Sequence, residues 1–261
     1  GSTALAAVGS TGSVTGLLVG FFIGMGTGSG VVISQYYGAK DYENLHKSVH
    51  TALALAIVFG LGLGLLGVLL SPTLLRWMGT PEDVMDQAVL YLRINFAGLI
   101  SLTVYNIGAG IMRAIGDSKR PLYYLIATCI SNIFFDILFV VVFKMGIAGA
   151  AIATVLAQII STLLVITALR RLPADIRLNF RNLSVDSALL KQILIIGLPA
   201  GLQFITFDLS NLLVQSGINS FGEITTAAWT AFAKADGITW MVSGAFGVSI
   251  TTFVGQNFGA Q

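Results

Sequence analysis

Polar residues are sparse along this chain, and they cluster. Apolar runs of about twenty residues recur, separated by short breaks that hold most of the Lys, Arg, Asp and Glu. A helix needs roughly 20 apolar residues to cross the ~30 Å hydrocarbon core of a bilayer. The pattern therefore predicts seven spans, over 13–35, 48–70, 89–111, 123–143, 147–169, 193–216 and 228–254, in an all-α, polytopic membrane protein. In the break after the second span, Thr80 stands as an N-cap, Pro81 at the first helical position and Glu82-Asp83 in the first turn. That order predicts a short interfacial helix running into the third span.

Composition agrees with the pattern. Of 261 residues 55% are hydrophobic and 10% charged, with a mean hydropathy of +0.86, whereas a soluble domain carries about 25% charged residues. The net charge of +2 is small and scattered, which argues against a nucleic-acid partner. A single Cys129 rules out an internal disulfide and a cysteine metal cluster. The only histidines, His46 and His50, lie at the start of the second span without further ligands, and read as solvated helix-end residues. No charged segment precedes an apolar run with a cleavage site, so no signal peptide is expected, and with Gly at position 1 the chain is expected to be a fragment.

Charge also orients the spans. Alternate breaks carry Lys40 and Lys47; Arg113, Lys119 and Arg120; and Arg170, Arg171, Arg177, Arg181 and Lys191, which is ten of the fourteen basic residues. The positive-inside rule makes these breaks cytoplasmic and the protein a resident of the inner (cytoplasmic) membrane. The segment 171–192, with Pro173 and four of those ten basic residues, reads as a linker between an N-terminal lobe, 1–170, and the start of a C-terminal lobe, 193–261. Asn182-Leu183-Ser184 matches a glycosylation acceptor but falls in this cytoplasmic linker.

Shifting the sequence by 221 residues aligns its start with its end. Ala6-Ala7 falls on Ala227-Ala228, Gly16 on Gly237, Gly26 on Gly247, Gln35 on Gln256 and Gly38-Ala39 on Gly259-Ala260. Six spans separate Gln35 from Gln256, so the two copies cross in the same direction. This is a parallel repeat about an axis along the membrane normal, one of the two transporter symmetries. The repeat implies a six-helix unit and an intact protein of about twelve spans.

Several motifs, in order, resemble those of the multidrug and toxic compound extrusion (MATE) family. They are Ala4-Leu5-Ala6-Ala7-Val8-Gly9, Gln35-Tyr36-Tyr37-Gly38-Ala39-Lys40, Arg113-Ala114-Ile115-Gly116-Asp117 before Pro121, and Gly146-Ile147-Ala148-Gly149-Ala150-Ala151-Ile152-Ala153-Thr154. Gly197-Leu198-Pro199-Ala200-Gly201 and Gly255-Gln256-Asn257-Phe258-Gly259-Ala260 complete the set. The resemblance implies twelve helices in two six-helix lobes around a central cavity, with export driven by Na⁺ or H⁺ antiport and no other cofactor. This chain would hold the second to eighth of those helices. It would lack the first, which in many members supplies an acidic coupling residue. The complete protein is expected to act as a monomer on small organic cations within the bilayer.

Besides Arg93, near the start of the third span, four charges lie inside the spans. Facing lipid, Asp136, Asp208, Lys234 and Asp236 would together cost roughly 10 to 14 kcal/mol on insertion scales, so they must face a cavity, pair or be neutral. At a rise of about 1.5 Å per residue, all four fall in the outer half of the membrane. Asp136 resembles the acidic residue that coupled family members carry on their fifth helix, and is the candidate cation-coupling residue. Asn132, one turn before it, and Asn106, on the preceding span, are candidate neutral oxygen donors to Na⁺, whereas a proton needs only the carboxylate. The bland alternative is a carboxylate hydrogen-bonded for packing. Asp208, Lys234 and Asp236 form a second-lobe charge cluster, read either as a cation or substrate site or as an internal salt bridge.

Candidate substrate-cavity residues are Gln203, Phe204, Phe207, Asn211 and Trp240, since drug-like cations bind apolar and aromatic walls with a few polar groups. Gly16, Gly20, Gly24 and Gly28 recur every four residues and let another helix approach closely, read as packing between helices of one lobe or a bending point, with lining of the cavity as the alternative. Pro199 predicts a kink in the sixth span. The first reading is thus a cation-coupled antiporter. The alternative in the same superfamily is a lipid-linked oligosaccharide flippase, which favours a strongly basic cavity that this chain lacks. No span holds the histidines or spaced aspartates of an intramembrane enzyme.

Overall fold

The structure, a computed structural model, describes the backbone of residues 2–174 and 176–261, with side chains described except at 2–10, 13, 182, 212, 216, 219 and 223. The motif over 4–9 and the acceptor Asn182 fall outside the described side chains. Among the described residues the elements are all helical: α1 (Ser2–Gly38), α2 (Tyr42–Trp77), α3 (Glu82–Ala97), α4 (Leu99–Ala114), α5 (Lys119–Asp136), α6 (Gly146–Arg170), α7 (Ser187–Asn219) and α8 (Glu223–Gly259). Six are long and apolar enough to span a membrane, and α3 with α4 makes a seventh if the bent pair is one span.

Local chemistry sets the helix boundaries. Lys40 at φ +55 turns the chain after α1, and Asp41 then caps α2, its carboxylate accepting from the Asn44 backbone N–H at 3.1 Å and side-chain Nδ2 at 2.7 Å. The Asn44 hydrogen bonds, the side-chain one first, hold the Asp41 carboxyl below the usual carboxylate range. At α3 the expectation is corrected: Pro81, not Thr80, occupies the N-cap position, and the Thr80 hydroxyl is buried without a partner. The third expected span is also not continuous. It breaks at Gly98 into α3 and α4, inclined by 45°, where a β-carbon on Gly98 would sit 2.6 Å from the Val155 side chain of α6. The bare backbone at Gly98 thus leaves room for the Val155 side chain where the helix breaks. Beyond Asp136, α5 continues as a π-helical stretch, Ile137–Val142, with Phe143 N–H donating to the Leu138 carbonyl at 2.9 Å.

The connection from α6 to α7 is docked rather than solvated. Ile176 and Leu178 are buried, and Leu178 N–H donates to the Leu169 carbonyl at 3.1 Å. His50 is 1% exposed, which corrects its reading as a solvated residue. Its Nδ1 lies 2.8 Å from the His46 carbonyl and its Nε2 accepts from Asn179 N–H at 3.1 Å. One residue on, the Thr51 hydroxyl accepts from Asp186 N–H at 3.1 Å. Asp186 in turn caps α7, which starts at Ser187, inside the expected linker. Removing a partner from a buried hydrogen bond costs about 1–3 kcal/mol. His50→Ala is therefore expected to free the strap and speed tryptic cleavage at Arg177 and Arg181 severalfold. An unchanged cleavage rate would show that Leu178 and Thr51 hold it unaided.

Around α1 the rest is assembled. It packs most extensively on α7, and also on α4, α8, α3 and α2. Its glycine stripe makes the α7 contact: β-carbons added at Gly24 and Gly28 would strike the backbone of Gly201 and Gly197, and one at Gly20 would lie 3.1 Å from the Phe204 Cβ. The stripe joins the segments before and after the 171–192 connection, not helices of one lobe as expected. A core of Met25, Ile33, Val49, Leu53, Ile107 and Leu169 fills the end that carries the basic breaks. Phe22, Leu92, Phe96 and Leu99 fill a second cluster toward the other end.

Candidate functional site

The repeat read from the sequence has a geometric counterpart. Helices α1 and α8 are both 37 residues long, and both their ends are related by the 221-residue shift. At the basic end they cross reciprocally. A β-carbon on Gly38 would meet the Gln256 carbonyl, one on Gly259 would meet the Gln35 carbonyl, and one on Gly255 would meet the Ser34 hydroxyl. Gln256 is further fixed by its Nε2, which donates to the Ala114 carbonyl of α4 at 2.7 Å. The two copies of Gln-x-x-Gly-Ala thus pack α1 against α8 at one end. Toward the opposite end α8 exposes Ile224, Phe232 and Ile238.

Asp136 ends α5 just before the π-helical stretch, half-buried and without an ion pair among the described residues. Asn132, one turn earlier, presents a buried Nδ2 that has no hydrogen-bond partner. Tyr91 of α3 lies within electrostatic reach of Asp136. The Asn106 Nδ2 donates to Leu102 of its own helix at 2.9 Å, and the Asn106 backbone packs on Gly26 of α1, nearer the basic end than Asp136, so the two are not brought together. Neutral polar groups continue inward from Tyr91. Asn95 donates to the Tyr91 carbonyl at 2.8 Å and lines, with Thr15 and Gln158, a cavity of about 20 Å³ between α1, α3, α4 and α6. That volume suits about one water molecule. Tyr91, Asn95 and Gln158 are residues that the sequence reading missed. Their signal is that of neutral polar side chains inside apolar spans, which the sequence alone does not place beside one another.

Downstream, no ion pair among the described residues joins the three charges Asp208, Lys234 and Asp236. Asp208 is half-buried against α1, its Oδ2 3.5 Å from where a Gly20 β-carbon would lie. Asp236 accepts from the Trp240 indole N–H at 3.0 Å, and Phe207 meets Trp240 with ring centroids 5.2 Å apart. Lys234 is exposed and makes no ion pair with a described residue, so the salt-bridge alternative is not formed. Of the candidate cavity residues, Phe207 and Trp240 are brought together. Phe204 packs by its Cβ on Gly20, and Gln203 and Asn211 stand exposed on α7. No group of three His, Cys, Asp or Glu among the described residues could hold a metal ion.

Apolar spans, a parallel repeat whose copies cross at one end, and carboxylates within the spans that make no ion pair among the described residues define a polytopic protein of transporter architecture. The chain belongs to the MATE family, whose model, described as MatE, matches residues 1–138. It is 34% identical over 268 residues to the probable multidrug resistance protein YoeA of Bacillus subtilis (strain 168), covering 100% of this chain and 58% of that protein. It is 31% identical over 269 residues to the probable multidrug resistance protein YpnP of the same organism, covering 99% of this chain and 58% of that one. A crystal structure described as MATE in the bent conformation superposes with a TM-score of 0.83 at 26% identity, covering 100% of this chain and 57% of that one. The chain thus spans little more than half the length of the relatives it matches.

Proposed function

We propose that the complete protein is an antiporter of the cytoplasmic membrane that exports small organic cations by alternating access, driven by inward movement of H⁺ or Na⁺ at Asp136. The observation that carries this reading is a half-buried carboxylate without an ionic partner beside the unpartnered Asn132 amide. A carboxylate kept unpaired inside an apolar bundle is costly unless a mobile cation joins it. Asn132 would supply a neutral oxygen if that cation is Na⁺. The reciprocal α1–α8 crossing closes the end that the basic breaks place in the cytoplasm, so this conformation would face outward.

Binding of the cation at Asp136 would then shift the balance between the two facings, because a ligand moves an equilibrium only through its differential affinity for the two states. The Phe207 and Trp240 rings beside Asp236 suit an organic cation in the other lobe. The test is efflux of a fluorescent organic cation from proteoliposomes holding the full-length wild type as a monomer, under an imposed pH or Na⁺ gradient. The expected result is export that responds to one of the two gradients, which also names the ion. Export indifferent to both would overturn the antiport reading in favour of the flippase.

A further inference from the structure

Helices α5 and α6 form a hairpin that is tight at one end and open at the other. At the tight end, a β-carbon on Gly149 of α6 would lie 3.0 Å from the Phe139 Cβ. Toward the basic end the two helices enclose a cleft of about 690 Å³, lined by Arg120 and Tyr124 of α5 and by Leu163, Leu164, Thr167 and Arg171 on the α6 side. Its composition is graded. The two arginines belong to the first turn of α5 and the C-cap of α6, and the wall between Arg171 and Ile160 is otherwise aliphatic apart from Thr167, whose hydroxyl is satisfied by the Leu163 carbonyl at 2.6 Å.

Three features of this cleft point to one ligand. Arg171 makes no ion pair with a described residue. Arg120 meets Asp117 through Nε at 3.2 Å, which leaves both its Nη groups to donate, and no carboxylate lines the cleft. From Arg171 to Ile160 the wall runs eleven residues, about 16 Å at the helical rise, which is close to half of a ~30 Å hydrocarbon core. A charged mouth above an apolar wall one leaflet deep matches a negatively charged headgroup joined to an acyl chain, and neither a free anion nor an uncharged hydrocarbon uses both parts.

We propose that the α5–α6 cleft binds one anionic phospholipid from the leaflet at the basic end, its headgroup held by Arg120 and Arg171 and an acyl chain laid along Leu163, Leu164 and Ile160. This site is separate from Asp136 and does not depend on the transport reading. Near a membrane surface each Lys or Arg is worth about fivefold in attraction for anionic lipid. The double variant Arg120→Gln with Arg171→Gln should therefore lower the preference by roughly 25-fold.

The experiment places the full-length protein in phosphatidylcholine vesicles doped with spin-labelled phosphatidylglycerol or spin-labelled phosphatidylcholine, and reads the immobilised fraction of each. The wild type is expected to immobilise phosphatidylglycerol preferentially, and the double arginine variant to lose that preference. Thr167→Trp, which fills the cleft and keeps both arginines, should lose it as well. Preference retained in Thr167→Trp would overturn the proposal, because surface charge alone or a cleft already filled by another part of the longer chain gives that result. Equal immobilisation of both lipids by the wild type would overturn it too. So would displacement of the labelled lipid by inorganic phosphate, which would assign the arginines to a free anion.

Discussion

Asp136→Asn in the full-length protein is expected to abolish the response of organic-cation efflux to the coupling gradient, a fall of at least tenfold at a fixed gradient, while the protein still reconstitutes at wild-type levels. The exchange is nearly isosteric. It removes the one property that the site offers an incoming cation, a full negative charge that no basic side chain among the described residues neutralises. A tenfold change corresponds to about 1.4 kcal/mol, modest beside what a cation gains from an opposite charge at close range in a poorly solvated bundle. A neutral amide also imitates the protonated carboxyl. If the coupling ion is H⁺, the variant should bind substrate as the wild type does when that group is protonated, and lose only the pH dependence of binding. Under Na⁺ coupling it should lose Na⁺ dependence at every pH. Replacement of Asn132 by Ala separates the two further, since Na⁺ needs the added oxygen and H⁺ does not. Efflux that still tracks the gradient in Asp136→Asn would remove the carboxylate from the mechanism.

Much of this arrangement is legible from the chain alone, and what escaped has physical reasons. The spans are visible because a bilayer demands about twenty apolar residues of each helix, a constraint that acts on sequence directly. The repeat is visible because the reciprocal contacts of Gly38 with Gln256 and Gly259 with Gln35 require the same residues at the same places in both copies. By contrast, the break at Gly98 depends on Val155, a residue more than fifty positions away, and hydropathy runs smoothly through it. The burial of His50 depends on Asn179, which is likewise distant and sits in a segment whose charge reads as solvated. The glycine stripe of α1 announces close packing but not its partner. One bare helical face serves a neighbour in the same lobe or in the other equally well, and only the matching Gly197 and Gly201 on α7 settle the choice. Of the candidate site, Asp136 with Asn132 is readable because a carboxylate in an apolar run is conspicuous. Tyr91 is not, since its relevance lies in standing near that carboxylate and not in its own chemistry.

The crossing at the basic end leads to the second large effect. Gly38→Ala and Gly259→Ala should each open that end, because the added methyl would meet a backbone carbonyl, which has no rotamer to move aside. Overpacking of this kind costs about 1–3 kcal/mol, and if the cost falls on the closed facing alone it shifts the balance by about 5- to 150-fold. The shift can be read at Ser34, whose hydroxyl faces Gly255 where the helices cross. A single cysteine there, with Cys129 replaced by Ser, should label slowly with a membrane-impermeant maleimide in the otherwise native protein and at least fivefold faster in either alanine variant. Gly62→Ala is the control. It sits in α2 with nothing within 4 Å of its added methyl, and a helical Gly→Ala exchange in open space is neutral or stabilising by up to about 1 kcal/mol. Because the pair is reciprocal, the two single variants should agree in direction and approximate size. Acceleration by Gly38→Ala without any by Gly259→Ala would mean that the crossing is not a two-sided seal, and that α8 reaches α1 through Gln256 and its bond to Ala114 alone.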